Sequence, residues 1–376
     1  MDRKLFRIWL ALKTTGATWR AQQLEECFGS IEAVYEAKME DYMTVAEMTR
    51  PVAAKLCEKG LDRAKEIVRN CEELGINILT VDDADFPRIL TQISMPVQVI
   101  YTMGNIPDWD KMLGIAIVGT RRNSEYGQIV TERISRELAE KGVTIISGMA
   151  DGIDSFALKS ALRVGASTIA VMGRGLDEAY PPENQNLMNE IIRTGCAISE
   201  YPPYTPPLAQ NFPARNRIVS ALSSGVLATE APMKSGTLIT TRLAKDMGKI
   251  IFAVPGNIFA KNSVGTNNLI KQGANAVTCG QDILDCFPVR AKNLTPPEVK
   301  AYEEKPEIKA EKNEFPEGLS DEEKGIITLL REKDMHIEEI SARSGLTIAE
   351  LNSVLPMLEI EGLITKLAGS NYKYNV

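Results

Sequence analysis

Between residues 114 and 280, short apolar runs alternate with longer amphipathic stretches. The runs at 115–119, 143–148, 167–173, 196–200, 225–230 and 249–256, with a short one at 276–278, read as strands buried on both faces. Helices between them are expected to begin near Ser124, Gly152, Pro182, Arg215, Gly236 and Thr266. This alternation predicts an α/β fold with a Rossmann-like, doubly wound parallel sheet over 76–289, extended upstream by strands around 78–81 and 97–101. Residues 3–74 carry helical spacing broken at Gly16, Gly29, Pro51 and Gly60, so 1–75 reads as a small helical N-terminal domain of the SAM or helix-hairpin-helix kind. No Gly-x-Gly hairpin stands at its helix junctions, which favours a structural or docking role. Residues 290–318, with four prolines among Lys and Glu, read as a linker. Helical stretches followed by a hairpin around Gly369, Ser370 and Asn371 predict a C-terminal winged helix over 319–376.

The strand ends are where such sheets bind ligands, and here they are rich in glycine and cations. Gly119-Thr120-Arg121-Arg122, Ser147-Gly148 with Gly152, Lys234-Ser235-Gly236-Thr237 and Pro255-Gly256-Asn257 fall at four of them. Glycine lets backbone approach a ligand, and helix N-termini present unpaired N–H groups to anions, so the four loops together predict a phosphate-binding strip. No Gly-x-Gly-x-x-Gly follows the first strand, and the second ends in Ser147-Gly148 where an acid would hold a ribose, so a dinucleotide cofactor is not expected. No Gly-x-x-x-x-Gly-Lys-Ser/Thr block is present either. The one histidine, His336, lies in the C-terminal domain, which removes histidine acid–base or metal chemistry from the strip. The expectation is a protein without cofactor or metal that is not an enzyme.

The run from Tyr201 to Ile218 sets Tyr201, Tyr204 and Phe212 beside Arg215, Asn216 and Arg217. Aromatics that stack bases at about 1–3 kcal/mol each, mixed with guanidinium groups that clamp phosphates, are how single-stranded nucleic acid is held. The alternative makes Phe212 a core residue and the arginines caps or ion-pair partners. Two arginines two residues apart cannot share one helical face.

Composition qualifies this picture. The 376 residues are 44% hydrophobic and 25% charged, ordinary for a globular protein, but the net charge is −7, which runs against nucleic-acid binding. The acidic clusters at Glu25-Glu26, Glu72-Glu73, Asp82-Asp83 and Asp321-Glu322-Glu323 all lie outside the central region, and local charge decides binding. Six scattered cysteines lack any Cys-x-x-Cys pair, arguing against disulfides and zinc. No apolar run reaches membrane-spanning length, so a cytoplasmic protein is expected.

The same residues carry a resemblance. Gly119-Thr120-Arg121, Ser147-Gly148, Gly152-Ile153-Asp154, Tyr180-Pro-Pro-Glu-Asn184, Ser199-Glu200, Phe212-Pro-x-Arg215-Asn216-Arg217-Ile-Val-Ser220, Ser235-Gly-Thr-Leu-Ile-Thr240 and Val254-Pro-Gly256 occur in order. From about Phe86 to Ile283 the chain resembles the bacterial DNA-processing protein A (DprA/Smf) family. The resemblance implies a single-stranded-DNA-binding homodimer that protects incoming DNA and loads RecA recombinase onto it during natural transformation. It implies Arg121, Phe212, Arg215 and Arg217 as the main DNA contacts, with 234–237 and 255–257 lining the same pocket. Asp151 stands where the family often has a basic residue, Leu158 where it often has histidine, and Thr237 where serine is commoner. A nucleotide sensor or a phosphoribohydrolase-like enzyme is the alternative. Such enzymes resemble this fold but carry a Pro-Gly-Gly-x-Gly-Thr block, where this chain has Ala231-Pro-Met-Lys-Ser-Gly-Thr237. The expected recognition helix of the winged domain, 347–361, has no Lys or Arg, three acids (Glu350, Glu359, Glu361) and Pro356. That composition predicts a protein-binding or regulatory role and not duplex binding.

Overall fold

The computed structural model describes residues 3–297, 319–360, 363–367 and 369–374. They fall into two compact units, Met1–Tyr302 and Glu303–Val376. Residues 298–318 of the expected linker and Glu361 of the expected recognition helix lie outside the described residues.

The first unit opens with helices α1 (Arg3–Lys13), α2 (Trp19–Phe28), α3 (Ile31–Glu36), α4 (Met39–Tyr42), α5 (Arg50–Cys57) and α6 (Asp62–Leu74). Their shared core holds Phe6, Trp9, Leu24, Ile31, Tyr42 and Leu56. Glycine ends α2 and α6, where Gly29 and Gly75 take the left-handed conformation that closes a helix. Ile8 of α1 and Ala64, Ile67 and Cys71 of α6 turn the other way and join the core beneath the sheet. The contact is fixed by Arg7, which is 2% exposed. Its guanidinium donates to Asp82 at 2.7 and 2.8 Å, to Glu25 at 2.6 Å and to Gln98 at 3.2 Å.

Among the described residues the main sheet has nine strands: β1 (Asn77–Thr80), β2 (Val99–Gly104), β3 (Gly114–Val118), β4 (Thr144–Ser147), β5 (Thr168–Met172), β6 (Cys196–Ser199), β7 (Gly225–Ala228), β8 (Ile250–Ala253) and β9 (Asn275–Ala276). Their order is β1-β2-β6-β5-β4-β3-β7-β8-β9. Strands β3 to β9 run parallel, and β2 joins β6 antiparallel, extending the sheet with the β1–β2 pair. Helices α7 (Glu125–Glu140), α8 (Ile153–Arg163), α9 (Gln185–Thr194), α10 (Asn211–Leu222), α11 (Gly236–Asp246), α12 (Val264–Lys271), α13 (Gly280–Leu284) and α14 (Pro288–Ala291) complete the unit. Two apolar clusters flank the sheet, one centred on Ile115, Ile145 and Leu158, the other on Ile146, Val171 and Ile218. This is the doubly wound α/β architecture that the strand pattern predicts.

The second unit holds α15 (Asp321–Glu332), α16 (Ile337–Ser344) and α17 (Ile348–Ile360), with a small sheet of β10 (Met335–His336), β11 (Ile364–Lys366) and β12 (Asn371–Tyr374). It is a winged helix. Ser320 and Glu323 cap α15 reciprocally, at 3.2 and 2.8 Å, and Ile326, Leu330, Leu351, Leu355 and Leu358 form its core. Helix α17 continues through Pro356.

Candidate nucleic-acid interface

The chain starts the parallel sheet at β3, builds outward through β4, β5 and β6, then crosses back to lay β7 on the other side of β3. Strand order reverses there, and the loops leaving β3 and β7 diverge. Together with the loop after β4 and the first turns of α10 and α11 they enclose a groove of about 730 Å³. Gly119, Thr120, Arg121 and Arg122 form one wall, Lys234, Ser235, Gly236 and Thr237 the other, and Gly148, Phe212, Arg215 and Asn216 the floor.

The cationic wall is held by a buried carboxylate. Glu230, 2% exposed, accepts from Ser124 N at 2.8 Å, from Ser124 Oγ, and from Asn262 Nδ2 at 3.3 Å. Its own carbonyl takes Thr120 N–H at 2.9 Å, while Asn262 donates to the Arg122 carbonyl at 2.8 Å. Fixed this way, Arg121 and Arg122 stay exposed, and among the described residues neither they nor Lys234 form an ion pair. The Arg121 guanidinium lies 5.6 Å above the Phe212 ring, and that ring stands 5.2 Å from Tyr180. The groove thus carries a cation over one aromatic ring, with a second ring beside it.

The opposite wall is a helix start. Ser235 is the N-cap of α11, yet its side chain makes no capping bond, and its Oγ is buried without a protein partner. Gly236 follows with open space on its Cβ side. A helix N-terminus with a free hydroxyl, an exposed lysine before it and no side chain in the way is suited to an oxyanion.

Arg215 is beneath the groove and not on its wall. It is 4% exposed; Nη1 donates to the Gly148 carbonyl at 2.6 Å and to the Val171 carbonyl, and Nε meets Asn216 Oδ1 at 3.2 Å. Burial pulls its pKa down to about 10, with Asp154 opposing the shift, so it remains a cation at neutral pH. Asp154 accepts Gly148 N–H at 3.1 Å; burial pushes its carboxyl up, and Arg215 and the backbone donors pull it back. A Cβ on residue 148 would collide with the Arg215 guanidinium, which is the physical need for glycine there.

The other expected site residues are placed elsewhere. Arg217 projects from the far side of α10, where Nη2 bonds both Glu200 carboxylate oxygens at 2.7 Å. Ser147 is buried and ties β4 to β3 through the Ile117 carbonyl at 2.6 Å. Gly152, at φ +76°, lets its backbone pack on the Thr120 carbonyl, 2.6 Å from where a Cβ would stand. Pro255, Gly256 and Asn257 do not line the groove; Tyr126 Oη bonds the Pro255 carbonyl at 2.8 Å and Asn267 brackets Gly256 at 3.0 and 3.1 Å. Nor do Tyr201 and Tyr204, and Tyr180 supplies the second ring instead. The sequence pattern assigns no role to Tyr180, Glu230 or Asn262. Tyr180 alone had a signal there, in the Tyr-Pro-Pro motif.

A model of the DNA recombination-mediator protein A family matches residues 77–288, and one of the DprA winged helix domain matches 310–370. The chain is 36% identical over 315 residues to protein Smf of Synechocystis sp., covering 78% of this chain and 79% of that one. It is 42% identical over 207 residues to DNA processing protein DprA of Streptococcus pneumoniae, 55% of this chain and 72% of that one. The X-ray structure of the S. pneumoniae protein superposes with a TM-score of 0.66 at 32% identity, covering 76% of this chain and 98% of that chain. DNA processing protein A from Helicobacter pylori, whose structure was described for a unique single-stranded DNA binding mode, gives 0.52 at 33% identity, with 57% and 95% covered. The chain belongs to the DNA recombination-mediator protein A family.

Proposed function

We propose that the groove binds single-stranded DNA, with phosphates held by Arg121, Arg122, Lys234 and the N-terminus of α11 and bases resting against Phe212 and Tyr180. The observation that carries this reading is the Ser235 Oγ, unpartnered among the described residues, at a helix start that lines the same groove as the exposed Arg121 over the Phe212 ring. Arg215 supports the floor from below. The H. pylori relative's single-stranded DNA binding supports the same reading. The carboxylates next to the groove support a binding role over catalysis: Asp154 and Glu230 are both buried and committed to internal hydrogen bonds.

By the family resemblance the protein loads RecA onto incoming DNA, works in the cytoplasm and acts as a homodimer. No described helix is long and apolar enough to cross a membrane. Ile258 and Phe259, 76% and 90% exposed in the loop after β8, support self-association. Phe259→Glu is expected to shift the sedimenting species toward a single chain, and an unchanged species sinks that assignment.

Fluorescence anisotropy of labelled oligo-dT across a salt series tests the groove. The expected result is binding that weakens steeply with salt and collapses in an Arg121→Ala/Lys234→Ala variant. Absence of binding at low salt overturns the proposal, and binding of mononucleotides alone favours the nucleotide-sensor reading.

A further inference from the structure

Helix α10 has a second face. On the side away from the groove, α1, the start of α2, β2, the segment after β6 and α10 enclose a separate cavity of about 300 Å³. Ile8, Leu12, Val99 and Met95 give it an apolar wall. Exposed Thr15, Gly16 and Gln210 lie at its margin.

Three lining residues carry a buried polar atom without a hydrogen-bond partner among the described residues: Thr18 Oγ1, Asn211 Nδ2 and Arg217 Nη1. Asn211 and Arg217 are only 6% and 7% exposed. Thr18 precedes α2 in a helical backbone conformation, and its hydroxyl makes no capping bond. A buried donor without an acceptor costs about 1–3 kcal/mol, so three around one cavity call for a common explanation. Asn211 Nδ2 and Arg217 Nη1 only donate, and the Thr18 hydroxyl can donate as well, so one acceptor group would suit all three.

Charge narrows the ligand. Glu200 takes both of its hydrogen bonds from Arg217 Nη2, which leaves that pair neutral and Nη1 free. Burial pushes the neighbouring Tyr201 phenol up to about 12, so it too is uncharged. An anion would meet the Glu200 carboxylate, and a cation would meet the guanidinium. The volume is far above the roughly 30 Å³ of one water and at the lower end of the about 300–1,000 Å³ typical of ligand sites.

We infer that this cavity binds a small uncharged molecule with an apolar body and a carbonyl or amide oxygen, received by Asn211, Arg217 and Thr18. The site is separate from the DNA groove, so its failure would leave the groove proposal standing.

Benzamide is a suitable probe, with benzoate and benzylamine as charged analogues of similar shape. Saturation-transfer NMR and thermal unfolding of the full chain read binding. Benzamide is expected to show transfer and to raise Tm with dose, and the charged analogues to bind about tenfold more weakly or worse. Asn211→Leu removes one donor while keeping similar volume. It is expected to weaken benzamide binding about tenfold and to leave the ligand-free Tm equal or higher, because an unmatched buried amide is replaced by an apolar group. If that variant does not fold, Ala11→Leu narrows the apolar wall and is expected to weaken benzamide in the same way. The inference is overturned if benzamide gives no transfer and no Tm shift up to its solubility. Equal response in wild type and the folded variant also overturns it, since water then suffices for the three donors.

Discussion

Arg121 and Arg215 both line the groove, and their surroundings make them opposite kinds of residue. Arg121 is exposed and, among the described residues, without a carboxylate partner, so its charge is available to a ligand. Arg215 is spent on the Gly148 and Val171 carbonyls and on the field of Asp154. Arg121→Ala is therefore expected to weaken oligo-dT binding and to reduce the salt slope by roughly 0.7 for the lost phosphate contact, with Tm unchanged. Arg215→Ala is expected to lower stability by about 1–3 kcal/mol, because it leaves the buried Gly148 and Val171 carbonyls without their donor. Denaturant unfolding beside anisotropy separates the two; a stable Arg215→Ala protein that has lost DNA binding would reverse the assignment. A second prediction concerns Asp82, whose carboxyl is held below its usual range first by the hydrogen bond from Arg7. A depressed folded pKa contributes stability above the unfolded value of about 3.9 and loses it as pH falls through the folded value. Asp82→Asn is thus expected to melt below wild type at pH 7, with the gap closing in strong acid. A gap that stays constant with pH argues against the pair.

At the level of elements, glycines on the groove divide by what a side chain would meet. Gly148→Ala drives a methyl into the Arg215 guanidinium and is expected to destabilise the protein. Gly236→Ala meets nothing within 4 Å and begins α11, so it is expected to keep Tm while weakening oligo-dT binding, if phosphate reaches the helix start. Unaltered binding in Gly236→Ala, measured by anisotropy, removes α11 from the interface. Much of this scaffold was legible in sequence, since strands buried on both faces leave nearly continuous apolar runs; β4 to β8 fall inside the expected ranges with only end residues trimmed, and β3 is shifted by one residue from its expected run. The start of α10 was not. The sequence pattern places its start near Arg215, but a proline in the first helical turn removes an N–H that has no partner there, and the helix begins at Asn211, ahead of Pro213. The ion-pair alternative for Arg217 was visible only as a possibility, because Glu200 comes from another strand end. Sequence spacing separated the two arginines onto different faces of α10; it could not say that one face was filled by carbonyls and the other by a carboxylate.

For the molecule as a whole, a net charge of −7 is compatible with the proposed binding of DNA in the groove because the charge is divided by position. The groove is built entirely within Met1–Tyr302, and Asp154, the carboxylate among its lining residues, is buried, while the winged helix carries its own core. Helix α17, at the place of a recognition helix, has no Lys or Arg over Ile348–Ile360 and leaves Ile348 and Met357 about half exposed. A helix that reads a DNA groove needs donors for base edges and cations for phosphates, and this one offers apolar side chains and acids. The separation predicts that a chain ending at residue 302 binds oligo-dT as the full chain does, whereas the isolated fragment 319–376 binds neither oligo-dT nor duplex at physiological salt. Anisotropy with both DNAs on both fragments checks this, with circular dichroism confirming that each is folded. Duplex binding by the folded 319–376 fragment would mean that cations outside α17 carry the contact, and the winged helix would then become a second DNA-binding element. If it stays silent, its exposed apolar side chains point to a protein partner, and the DNA chemistry belongs to the sheet edge alone.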